Sequence, residues 1–240
     1  MRRPALSLVA VACFLPLLSA DAPAPKSPKE GLQPFNDLIG SWKCTGTPAG
    51  SREEQLTSFW TETLAVEWQF KGADAWLKLD FTKDKGSKNE PPFSNGELRY
   101  RPATKDYELK VLTKQQKTVV YTGSLDDRKL TVERLDGNSI ERLVVTLLHS
   151  NRFLYRLDTR PVEKSLFAMV WKVGATKEGE SFATGEGGPE CIVSGGKGTI
   201  AVSYQGKTYY VCCSGCRSEF LESPQKYIAE HEAKKAKKSK

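Results

Sequence analysis

The chain has 240 residues, 39% hydrophobic and 27% charged, enough for one ordinary globular core and a small appended unit. Its formal charge of +7 sits at the two ends. Arg2 and Arg3 at one end and Lys234, Lys235, Lys237, Lys238 and Lys240 at the other leave a body close to neutral, which excludes the organised basic face of a nucleic-acid-binding domain.

The chain opens with Arg2 and Arg3, followed by the apolar stretch Ala5 to Ala20 and small residues at Leu18-Ser19-Ala20. This layout predicts a secretory signal peptide over residues 1–20, and hence export to a periplasm or the extracellular space. The stretch is short for a membrane span, and no later segment is long and apolar enough to be one. Asp21 to Gln33 is rich in Pro, Ala and Lys and reads as a linker, with residues 21–34 outside the fold. Pro34 to Leu38 can form one helical turn before Gly40-Ser41-Trp42.

From Trp42 to Val173 apolar and polar residues alternate with period two. Leu77, Leu79 and Phe81 share one face in one strand, and Tyr107, Leu109 and Val111 in another. Further strands are expected over residues 55–70, 96–101, 118–124, 129–135, 139–149, 152–159 and 166–173. Turn residues separate them, among them Asn95-Gly96 and Asp136-Gly137-Asn138. About ten strands with short connections predict a mainly β protein, an antiparallel up-and-down barrel over residues 35–174. Cys44, alone in the first strand, reads as a buried small apolar residue. His149 ends an apolar strand, where an exposed side chain is expected in preference to a haem ligand.

Residues 175–189 are rich in Gly and mark a boundary. Residues 190–236 then differ in kind. Cys191 opens them, and Gln205-Gly206 between two short apolar runs signals a hairpin. Cys212-Cys213-Ser214-Gly215-Cys216 follows, and a helix starts at Arg217. Ser223 with Pro224 caps a second helix, and 237–240 form a basic tail. Tyr204, Tyr209, Tyr210, Phe220 and Tyr227 are expected to make a miniature core. Gly215 is expected to permit a tight turn, and a helix start at Cys216 to acidify its thiol.

Thiolate sulfur is soft and suits Cu(I) and Zn(II). Cys191 with Cys212 and Cys216 brings ligands from two segments, as a tetrahedral or trigonal site requires. Cys213 is a further sulfur that could complete the site. Disulfide pairing is the alternative, because exported cysteines meet an oxidising compartment. A unit of about fifty residues buries little apolar surface and needs a staple of one kind or the other.

This C-terminal stretch resembles the YHS domain and the related TRASH metal-binding domain. The residues that carry the likeness are Cys191, then Tyr204-Gln205-Gly206-Lys207-Thr208-Tyr209-Tyr210-Val211-Cys212, then Cys216, Phe220, Pro224 and Tyr227, with cysteine spacing C-x20-C-x3-C. The resemblance implies a small treble-clef-like α+β module that binds heavy-metal ions. Cys213 departs from the family, which commonly has a small polar residue there. More loosely, the helical turn, Gly40-Ser41-Trp42 and the run of strands resemble the lipocalin and fatty-acid-binding group of barrels.

With only two histidines, no H-E-x-x-H and no G-x-S-x-G, the chain offers no catalytic motif, and enzymatic activity is not expected. Thiol–disulfide exchange lacks the thioredoxin-type βαβ frame. The leading expectation is an exported metal-binding protein acting in sequestration, delivery or sensing. The alternative is a carrier whose barrel binds an apolar small molecule, with the cysteine module structural.

Overall fold

The computed structural model describes residues 26–178 and 188–238. The expected signal peptide and most of the Gly-rich boundary lie outside these residues. The chain forms a closed ten-stranded antiparallel barrel followed by a small cysteine-bearing unit. Ten consecutive strands, β1 (Gly40–Pro48) to β10 (Ala168–Lys177), each pair with their neighbours in sequence, and β1 closes on β10. This is the up-and-down barrel that the alternation predicts.

Inward positions repeat every second residue. In β2 (Trp60–Lys71) they are Trp60, Glu62, Leu64, Val66 and Trp68, all buried. One end of the barrel is plugged. The 3-10 helix Gln33–Leu38 inserts Phe35 and Leu38, and the Trp42 indole N–H donates to the Leu38 carbonyl at 2.8 Å. Rings and aliphatic side chains fill the middle, leaving an apolar void of about 60 Å³. The opposite end is open, over a cavity of about 810 Å³ whose walls include Trp60, Phe93, Tyr121, Leu157 and Trp171.

Three local expectations are corrected. Residues 28–32, read as linker, form helix α1 (Pro28–Leu32), with Leu32 fully buried and the Gly31 carbonyl accepting from the Tyr107 hydroxyl at 2.8 Å. Residues 55–58, read as strand, belong to helix α2 (Arg52–Ser58). Both helices start on a capping box, Ser27 with Glu30 and Ser51 with Glu54, in which each serine hydroxyl accepts from the glutamate backbone N–H at 3.3 Å. Third, β10 runs past Gly174 to Lys177, because Ala175 continues its inward face opposite Cys44. His149 is exposed at the end of β8 (Ser139–His149), outside the barrel interior, and Cys44 is buried, both as expected.

Among the described residues, Glu62 is a fully buried acidic side chain on the inward face of β2. Its Oε1 accepts from the Tyr155 hydroxyl at 2.5 Å and the Trp60 indole N–H at 3.2 Å, while Oε2 has no partner. Burial pushes its carboxyl above the ordinary 4.5, outweighing the two hydrogen bonds. The other titratable groups nearby are Cys44 on β1, Tyr155 on β9 (Arg152–Pro161) and Asp84 beyond β3 (Asp74–Lys83). Between 4.5 and the raised folded value the folded state binds more protons than the unfolded one, so stability falls as pH rises through that window. Glu62→Gln is therefore expected to flatten the pH–stability profile. The variant should gain on the wild type as pH rises above 4.5, by at most about 1.4 kcal/mol per pH unit. Urea denaturation of both proteins across that range measures it, and parallel profiles would refute the assignment.

Candidate metal centre

The C-terminal unit is built on the hairpin β11 (Ile200–Tyr204) and β12 (Lys207–Val211). Gln205 and Gly206 turn it, both with positive φ, of 50° and 74°. Cys212 and Cys213 follow β12 directly, and helix α3 (Ser214–Glu222) carries Cys216 in its first turn. The turn bearing Cys191 is tied to β12 by backbone bonds, Ile192 N–H to the Tyr210 carbonyl and Thr199 N–H to the Val211 carbonyl, each 2.9 Å. Helix α4 (Pro224–Lys238) completes the unit. Phe220 is buried against Tyr204 and Tyr209, and Tyr227 is buried in the same core, whereas Tyr210 is exposed and does not join it.

These elements bring Cys191, Cys212 and Cys216 together, with their sulfurs all within 4.8 Å of one another. Cys191 and Cys216 are buried and Cys212 is half-buried. The Cys212 and Cys216 sulfurs are 3.5 Å apart. Around one metal with M–S bonds of about 2.3 Å, tetrahedral sulfurs stand about 3.8 Å apart, so the trio could hold a metal ion with small adjustments. Cys213 lies outside the trio, its sulfur 3.9 Å from that of Cys212.

The sulfurs are supported from behind. Ser194 is fully buried; its backbone N–H points at the Cys191 sulfur at 3.5 Å, and its hydroxyl lies 3.4 Å from the Cys212 sulfur. Asn36 of the barrel plug donates to the Ser194 carbonyl at 3.2 Å and accepts from the Trp68 indole N–H at 3.2 Å. Such supporting groups orient ligands for a metal. In the sequence, the cue to these two groups is a Ser three positions after Cys191; nothing local points to Asn36.

The thiols do not share one acidity. Donation from Cys212 and Cys216 lowers the Cys191 pKa strongly, and donation from Cys212 lowers that of Cys213. Burial pushes Cys216 up, so the acidification expected from its helix start is overridden.

Gly215 is needed for docking rather than for a turn. A Cβ there would stand 1.6 Å from the Trp68 carbonyl oxygen, because α3 abuts β2. The Ser214 hydroxyl donates to Glu67 at 2.9 Å beside it, and Lys29 of α1 pairs with Glu230 of α4 at 3.4 Å. The apolar core runs without a break from the barrel into the cysteine unit.

No protein-family model matches the chain, and no curated protein matches it either. Fold and site together define a ten-stranded antiparallel barrel with a docked cysteine unit, in which three sulfurs could hold a metal ion.

Proposed function

We propose that the chain is an exported protein of the cell envelope that holds Cu(I) or Zn(II) through Cys191, Cys212 and Cys216, acting in metal sequestration, delivery or sensing. The observation that carries this reading is the convergence of three sulfurs, from two segments about twenty residues apart, within 4.8 Å of one another. Soft sulfur favours these ions. Three sulfurs alone suit trigonal Cu(I), whereas Zn(II) takes Cys213, water or another donor as a fourth ligand. The YHS/TRASH-like spacing points the same way. The ion neutralises the sulfur charge and ties the Cys191 turn to the hairpin and α3. The expected result is one equivalent of metal in full-length protein isolated without chelator or reductant, read by elemental analysis. Thiol titration after chelation should then find the cluster cysteines free. Metal-free protein with these cysteines in disulfides would overturn the reading.

A second reading, that the barrel carries an apolar small molecule, is favoured by the open cavity of about 810 Å³. That is the size of a small-molecule site, which runs to roughly 300–1,000 Å³.

A further inference from the structure

Beneath the open cavity, one oxygen of a buried carboxylate lacks a partner. Trp60, Phe93 and Trp171 line the cavity; Phe93 and Tyr155 line the apolar void beneath it. Trp171 meets the other three rings edge-on, with centroids 6.2 Å from Trp60, 5.8 Å from Phe93 and 5.8 Å from Tyr155. Glu62 stands at this partition, hydrogen-bonded to Trp60 on the cavity side and to Tyr155 on the void side. Its Oε2 is shut off from water and unpaired. An unsatisfied buried polar atom costs about 1–3 kcal/mol, more when charged, and calls for a reason.

We propose that the open end of the barrel binds a small primary ammonium ion with an apolar body, whose N–H group pairs with Glu62 Oε2 among the four aromatic rings. The proposal rests on the carrier reading above and adds the ligand's charge. An ammonium group answers what the site lacks: it supplies the missing donor, neutralises the carboxylate and is attracted to ring faces. A neutral alcohol supplies a donor without the charge, and an anion is repelled by Glu62. Lys88, Lys114 and Lys117 at the rim are exposed, so water and salt screen them, whereas the buried Glu62 keeps its field. Arg134 on the cavity wall is already neutralised by Glu141 at 2.7 Å and Asp136 at 2.9 Å. Trp171 stands where the β9–β10 register breaks, between Met169 and Trp171, and the ammonium group reaches Oε2 by displacing this ring.

The test is calorimetric titration of the full-length protein with benzylamine, hexylamine, benzyl alcohol and benzoate, repeated on Glu62→Gln. Both amines are expected to bind about tenfold or more tightly than benzyl alcohol, and benzoate not at all. Glu62→Gln should erase the preference while benzyl alcohol binds as before, which also shows that the variant is folded. Trp171→Leu should weaken amine binding and leave the preference over alcohol in place. Equal binding of amine and alcohol would overturn the ammonium assignment and leave the carrier reading standing. Failure of all four probes would overturn both. An amine preference that survives Glu62→Gln would remove Glu62 from the site and sink the proposal.

Discussion

Cys191→Ser, Cys212→Ser and Cys216→Ser are each expected to cost the full-length chain more than about 100-fold in affinity for Zn(II) or Cu(I), and Cys213→Ser less than about tenfold. The ranking follows from position. The first three sulfurs lie within one coordination sphere, and each comes from a different element: the 190–197 turn, the end of β12 and the first turn of α3. Losing one leaves two, and a serine hydroxyl is a hard, protonated substitute for a soft thiolate. Removing a mere supporting group from a metal site already costs roughly 10–100-fold, so removing a ligand costs more. Cys213 precedes α3 as its cap residue and is buried beside Cys212, Cys216 and the backbone of Trp68, but its sulfur is not within 4.8 Å of all three of the others. Competition against a chromophoric chelator ranks the four variants. Equal behaviour of all four would mean that the sulfurs within 4.8 Å are not the ligand set. A large loss in Cys213→Ser alone would move the site toward the barrel.

The barrel was legible because a closed antiparallel sheet writes its geometry into the sequence as period-two alternation. Leu77, Leu79 and Phe81 already stood on one face. The two short helices were missed although Ser27-Pro28-Lys29-Glu30 and Ser51-Arg52-Glu53-Glu54 both carry the capping-box pattern. One lay in sequence of linker composition, and the other ran into an apolar strand. The cysteine trio was legible from the hairpin signal together with the YHS/TRASH-like spacing, because a hairpin returns the chain close to where it began. The groups around it were not, because the Asn36–Ser194 bond joins residues 158 positions apart and no local pattern announces it. Glu62 did leave a signal: it falls in phase with Trp60, Leu64, Val66 and Trp68, on a face that is otherwise apolar. Gly215 was read with the right residue and the wrong reason, since its missing side chain serves a contact with β2 that only the tertiary structure supplies. That contact also changes what holds the cysteine unit together. Its small core is continuous with the barrel's, so the barrel contributes to ordering it alongside any metal the trio holds.

Gly215→Ala separates these two contributions, and the sign of its effect decides between them. Gly215 lies inside α3, where alanine is the better helix former by about 1 kcal/mol. If α3 were held only by the hairpin and a metal, the substitution would stabilise the chain. The structure places a Cβ at that position 1.6 Å from the Trp68 carbonyl oxygen and 2.8 Å from its carbon, which is backbone of a central barrel strand and cannot swing aside. The helix must lift away from β2, weakening the Ser214–Glu67 bond and the Asn36 link from Trp68 to Ser194. A net loss of about 1–3 kcal/mol is expected by urea denaturation, with faster hydrogen exchange at the Trp68 indole N–H. Metal affinity should change by less than about tenfold, because the three sulfurs and Ser194, the supporting group that touches them, all belong to the unit and move with it. A more stable variant with the Trp68 indole still protected would show that the cysteine unit does not depend on this contact. Loss of metal together with docking would show that the barrel shapes the metal site directly.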